Sequence, residues 1–276
     1  MPSQNLVDYW WFSISAIAVL NILAWLWVAR RFHKDRQSVS PKFFAIRGWH
    51  VFLSAGYVWG CAFRSFLPRA DVQRICLLDS AWSSVAIGRS VATVAELCFV
   101  AQWAILLNEM GKPAQKRWVV RLSFLIVPAI FVAELFSWYA VLTTNYIGNS
   151  IEQSIWTVTV LVIMFALVAV RPHYGKLVRQ LIAGVLALSV SYILFMVFVD
   201  IHMYVTRWLE DTNNAKNYLT FAQGWRDAVQ RRVVTHSYDE WREEIAWMTL
   251  YFGPTVWVSI ALIRSPRFSQ QLNKPN

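Results

Sequence analysis

Charged residues are scarce in this chain: Asp, Glu, Lys and Arg make up 15% of its 276 residues, against 57% hydrophobic ones. Soluble domains carry about 25% charge, so the shortage excludes an ordinary water-facing surface. Cysteine is nearly absent. Cys61, Cys76 and Cys98 offer no CxxC spacing and no disulfide framework, and a single Cys61–Cys76 bridge is the one pairing left open. Lysine is missing where a retinal Schiff base needs it. All seven, Lys34, Lys42, Lys112, Lys116, Lys176, Lys216 and Lys274, fall in connections or tails, which excludes a retinylidene photoreceptor. His50 and His202 fall at different depths, which excludes bis-histidine haem, and no three-histidine zinc set exists. Glycine-rich nucleotide loops and Ser-His-Asp or Cys-His signatures are absent as well.

What the chain does have is long apolar runs. A helix needs roughly 20 apolar residues to cross a hydrocarbon core about 30 Å thick. Segments of that order recur at 10–28, 44–63, 85–107, 119–142, 155–170, 181–204 and 245–263, the fifth extendable outward to Glu152. Backbone in lipid must satisfy its own hydrogen bonds, and no barrel-type alternation is present, so the spans are helices. The expected fold class is all-α: a polytopic integral membrane protein, a single domain over 1–276 with seven transmembrane helices. The first span has no basic region before it and Arg30, Arg31, Lys34 and Arg36 after it, which fits a retained helix better than a cleaved signal.

Orientation follows the basic residues. Arg30, Arg31, Lys34, Arg36 and Lys42 follow span one, Lys112, Lys116 and Arg117 follow span three, and Arg171, Lys176 and Arg179 follow span five. Arg264, Arg267 and Lys274 lie in the tail. This predicts an outer N-terminus and a cytoplasmic C-terminus in a bacterial inner (plasma) membrane, although Arg64, Arg69 and Arg74 in the second connection run against it. The net charge of +10 is thus mostly topology. It points to membrane lipids as partners and not to nucleic acid.

One connection is long. Residues 205–244 on the outer side include Tyr218, Phe221, Ala222, Trp225, Val229 and Val233 at short helical steps, an amphipathic helix capped by Thr212, Asn213 or Asn214. Ser237 and Glu240 read as a capping box that starts the last span near Tyr238. Pro128 and Gly253-Pro254 remove backbone hydrogen bonds and should kink their helices.

Ionisable side chains inside a bilayer mark function, because each is tolerated mainly opposite a partner or a wet cavity. In span two Arg47, His50, Ser54, Tyr57, Cys61 and Arg64 fall on one helical face. Span three adds Arg89, Thr93, Glu96 near the midplane, and Trp103; span four adds Glu134, and span six Asp200, favoured over His202 as the group facing inward. Glu152, His202 and Glu244 lie near the outer interface, where water and headgroups should solvate them. Packing is the rival reading for Ser54 and Cys61, snorkelling for Arg47 and Arg64, and a structural clasp for Arg89 with Glu96.

Most of these groups share the outer half, which predicts a polar cavity open to that side and floored by Glu96. Three functions fit. The first is a membrane-embedded enzyme for a small or lipid-like anionic substrate, with Glu96, Glu134 and Asp200 as acid–base groups and Arg64, Arg89, His50, Tyr57, Trp103 and Glu244 as binding groups. The second is a proton- or cation-coupled transporter, and the third a ligand-binding or scaffolding bundle. No cofactor is named by any motif. No metal ligand set is assigned, although Glu96, Glu134, Glu152 and Asp200 are oxygen donors suited to Mg²⁺, Mn²⁺ or iron. Oligomeric state is not legible.

Overall fold

A computed structural model describes residues 2–34, 36 and 40–272; Lys274 of the basic tail lies outside the described residues. Most of the described residues are helical: α1 (Pro2–Lys34), α2 (Pro41–Phe66), α3 (Val85–Gly111), α4 (Arg117–Ser123), α5 (Ile126–Thr143), α6 (Ile147–Val170), α7 (Lys176–Phe195), α8 (Ile201–Asn213), α9 (Phe221–Gln230), α10 (Tyr238–Phe252) and α11 (Pro254–Ile263). Among the described residues six helical stretches are long and apolar enough to cross a membrane: Leu6–Lys34, Val85–Gly111, Arg117–Thr143, Ile147–His173, Lys176–Asn213 and Tyr238–Ile263. This is an integral membrane protein of the all-α class. The remaining long helix, α2, has 26 residues, and its polar stripe keeps it out of that apolar set.

The helix breaks follow from backbone chemistry. Proline lacks an N–H and clashes one turn back. Pro128 therefore separates α4 from α5 at Phe124-Leu125, and Gly253-Pro254 separates α10 from α11. The Phe252 carbonyl beside the second break accepts from Asn21 Nδ2 at 2.9 Å. Between α7 and α8 the helix widens into a π-turn, Met196–Asp200. Ser237 is the N-cap residue of α10, but its side chain makes no capping bond; the capping box lies instead at Thr220 and Gln223, opening α9. Thr212 and Asn213, expected as caps, belong to the last turn of α8, and Asn214 follows it. The amphipathic helix is correspondingly shorter than the 218–233 pattern.

Two compact units emerge from the packing, with α3 and α5 contributing to both. Unit one comprises residues 1–99, 138–144 and 218–264. In it α2 lies against α1, α10 and α11, and approaches α3 through a Gly56-xxx-Gly60 notch. A Cβ at Gly60 would stand 2.6 Å from Ala95 Cβ, and one at Gly56 the same distance from Cys98 Sγ. Small residues at such spacing let helix backbones close without lipid between them. A small sheet caps the unit: β1 (Arg69–Ala70) pairs antiparallel with β2 (Ile75–Cys76), which pairs parallel with β3 (Val233–Val234). Helix α9 seats Gly224 on the backbone of Leu142, where a Cβ would come within 1.7 Å of the carbonyl oxygen, and leaves Phe221, Trp225 and Val229 exposed.

Unit two comprises residues 100–137, 145–217 and 265–276. Here α6 packs along α7, the π-turn and α8. Tyr174 is fully buried and donates to the Met110 carbonyl at 2.6 Å, tying the α6–α7 turn to the end of α3.

Candidate functional site

The stripe on α2 is buried along its whole length: Arg47, His50, Ser54, Tyr57, Cys61 and Arg64 are each no more than 5% exposed. Neither arginine snorkels, therefore. Arg47 lies 4.8 Å over the ring of Phe43, Ser54 meets Ser259 at 3.0 Å, and Tyr57 donates to Thr255 Oγ1 at 2.9 Å. Tyr57 also stacks on Phe99. The stripe thus faces α11 and α3.

Around the top of this stripe unit one gathers four buried arginines. Arg64 Nη1 and Arg69 Nε bond the two oxygens of Asp71 at 3.3 and 2.9 Å, and Arg64 Nη2 reaches the Arg69 carbonyl at 3.2 Å. Arg74, in a left-handed turn at φ 63°, holds Asp227 at 2.7 Å and the Val141 carbonyl at 2.7 Å. Arg89 Nη2 donates to Glu96 Oε1 at 3.2 Å. Burial alone would push the Asp71 carboxyl up, but Arg64, Arg69, Arg89 and Arg74 outweigh it and hold it below the usual 3.8. Burial also lowers Arg69, with Arg64 and Arg89 adding to the effect against Asp71, to about 10. Arg69 further donates to the Ser84 carbonyl and fills a notch at Gly88, where a Cβ would overlap its Nη2.

Glu244 is buried, not solvated as its position near the outer interface implied. It accepts from Gln73 at 3.0 Å and from Trp247 Nε1 at 2.7 Å, and Trp247 in turn underlies Arg64 at 6.0 Å. All three cysteines are free, which removes the Cys61–Cys76 bridge. Burial and neighbouring Asp79 push the Cys76 thiol up, making it a poor nucleophile.

Unit two concentrates carboxylates instead. Glu134 on α5 and Glu152 on α6 are 1% and 2% exposed, and their carboxylate oxygens approach within 4.8 Å. Glu152 was expected in water at the interface, but neighbouring helices enclose it. Asn149, one turn before it, donates to Glu152 Oε2 at 3.3 Å, and among the described residues no hydrogen-bond donor meets the buried Asn149 Oδ1. Ser137, one turn after Glu134, is fully buried, and its Oγ has no hydrogen-bond partner among the described residues. Asp200 closes the π-turn and is 5% exposed, whereas His202 is exposed and Trp103 half-buried.

Sequence reading passed over Arg69, Asp71, Arg74, Asn149 and Ser137 as site residues. The signal for the first three was present: three arginines five residues apart with an aspartate among them, in a short connection that otherwise needed no charge. Asn149 and Ser137 carried none beyond a helical step from a glutamate. Comparison with family models, curated proteins and solved structures finds no match for this chain.

Proposed function

We propose that this is a membrane-embedded enzyme acting on a small or lipid-like substrate, with Glu134 and Glu152 as its acid–base pair. The observation that carries the reading is their approach within 4.8 Å in a buried setting. Two carboxylates side by side in a buried setting can divide the roles of general acid and general base between them. Asp200, buried at a π-turn of the kind that often marks functional positions, is a further candidate.

Lipid extracts incubated with purified protein, then compared by mass spectrometry, test this. A substrate is expected to change mass with the native chain and to stay unchanged with Glu134→Gln and Glu152→Gln variants that keep their melting temperature. Conversion undiminished in both variants ends the acid–base assignment.

A cation-coupled transporter is the second reading, favoured by the buried oxygens of Asn149 and Ser137 beside the pair. Hard cations take oxygen ligands of this kind. Proteoliposome uptake that ignores both a cation gradient and Glu152→Gln removes it.

For topology we propose seven spans with the N-terminus outside, in a bacterial plasma membrane. In support, α2 is about 39 Å long at 1.5 Å per residue, and its polar stripe is buried against α11 and α3. Lysine and arginine placement supports the direction. Protease protection of tags at the two termini tests it, and tags on the same side reject it.

A further inference from the structure

Three basic side chains converge where α3 turns into α4, and among the described residues none has an ion-pair partner. The turn is built by backbone. Lys116 N donates to the Gly111 carbonyl at 3.0 Å and Gln115 N to the Lys112 carbonyl at 3.1 Å, with Gln115 in the left-handed region at φ 56°. Gly111 lets α4 close in: a Cβ there would stand 3.0 Å from Val120 Cγ2 and 3.1 Å from Val119 Cγ1. The result is a cleft of about 690 Å³ lined by Gly111, Lys112, Gln115, Arg117, Val120 and Arg121.

Arg117 and Arg121 are four residues apart, so they share a helix face, where like charges repel. Both are exposed, as is Lys112 opposite them, and the field they create is best relieved by an anion. The surface changes character abruptly beyond them. Phe124 and Leu125 are 68% and 62% exposed, and Leu125 lies only about 6 Å along the axis from Arg121. Trp118, 47% exposed, is a residue type favoured at headgroup level. A solvated salt ion would use the cations and leave the apolar step unexplained. A phosphate ester carrying acyl chains uses both.

We propose that this cleft is a binding site for one anionic phospholipid, its phosphate held by Lys112, Arg117 and Arg121 and its chains laid along Phe124 and Leu125. The site is independent of the acid–base reading. Native mass spectrometry of the full chain in mild detergent, with added phosphatidylglycerol or phosphatidylcholine, tests it. One phosphatidylglycerol should be retained in preference to phosphatidylcholine. Replacing Arg117→Gln with Arg121→Gln should weaken retention about 30-fold, at roughly 1 kcal/mol per cation. Arg30→Gln with Lys42→Gln, a matched loss of exposed charge elsewhere, should leave it unchanged, and Lys112→Gln alone gives a graded loss if the double variant folds poorly. Equal loss in the matched control, equal retention of phosphatidylcholine, or displacement of the lipid by equimolar inorganic phosphate overturns the proposal.

Discussion

The two units bury charge in opposite ways. In unit one opposite charges alternate, Arg64 with Asp71, Arg69 with Asp71, Arg74 with Asp227, Arg89 with Glu96. In unit two like charges adjoin, Glu134 with Glu152. Breaking a buried ion pair by removing one partner costs about 3–5 kcal/mol because the survivor is left uncompensated, so alternation holds a structure in place. Adjacent carboxylates do the reverse. Their mutual repulsion works against the fold, a cost that functional sites commonly accept.

That contrast can be broken at four points, in falling order of effect. Arg69→Ala should lose about 3–5 kcal/mol of stability in detergent melts. Gly88→Ala should approach that loss without touching a charge, because its Cβ claims the space of the guanidinium; an unchanged melting temperature would mean that Arg69 has another seat. Gly60→Leu should cost about 1–3 kcal/mol through the clash with Ala95, read as a lower melting temperature and reduced yield. Glu134→Gln should be neutral or stabilising in the same melts, opposite in sign to the arginine variant, and a large loss would place Glu134 in the structural class.

The smallest effect concerns acid. The folded Asp71 carboxyl titrates below 3.8, lower than an unfolded carboxyl near 3.9, so its contribution to stability is present above that range and disappears as pH falls through the folded value. Melts taken through this window should show an acid limb that Asp71→Asn flattens. A limb of the same steepness in that variant assigns it to other carboxylates.

Much of the fold was legible because it rests on local signals. Apolar length marks the spans, proline marks the two helix breaks, and the spacing of three and four places Arg47 to Arg64 on one buried face. Gly56 and Gly60 were also readable in principle as a close-packing notch. The Arg69 seat was not, since nothing near Gly88 in the sequence says which distant side chain fills the missing Cβ. Glu152 and Glu244 were misplaced for a related reason. Counting residues from a span end measures depth along the helix axis, while enclosure depends on which neighbours stand beside it. The Glu134–Glu152 approach likewise joins two helices whose mutual rotation no local pattern encodes.

The π-turn at Met196–Asp200 sets the phase of everything beyond it. One residue inserted into a helical ladder turns the following segment by about 100° without adding a turn of its own. Tyr204 meets Tyr146 at 6.2 Å, and Arg207 lies 5.5 Å over the same Tyr146 ring, in the azimuth this extra residue creates. Excising a single position from the turn would swing both away at once while leaving every apolar count intact, so a one-codon deletion here acts as a rotary change of the α8 surface.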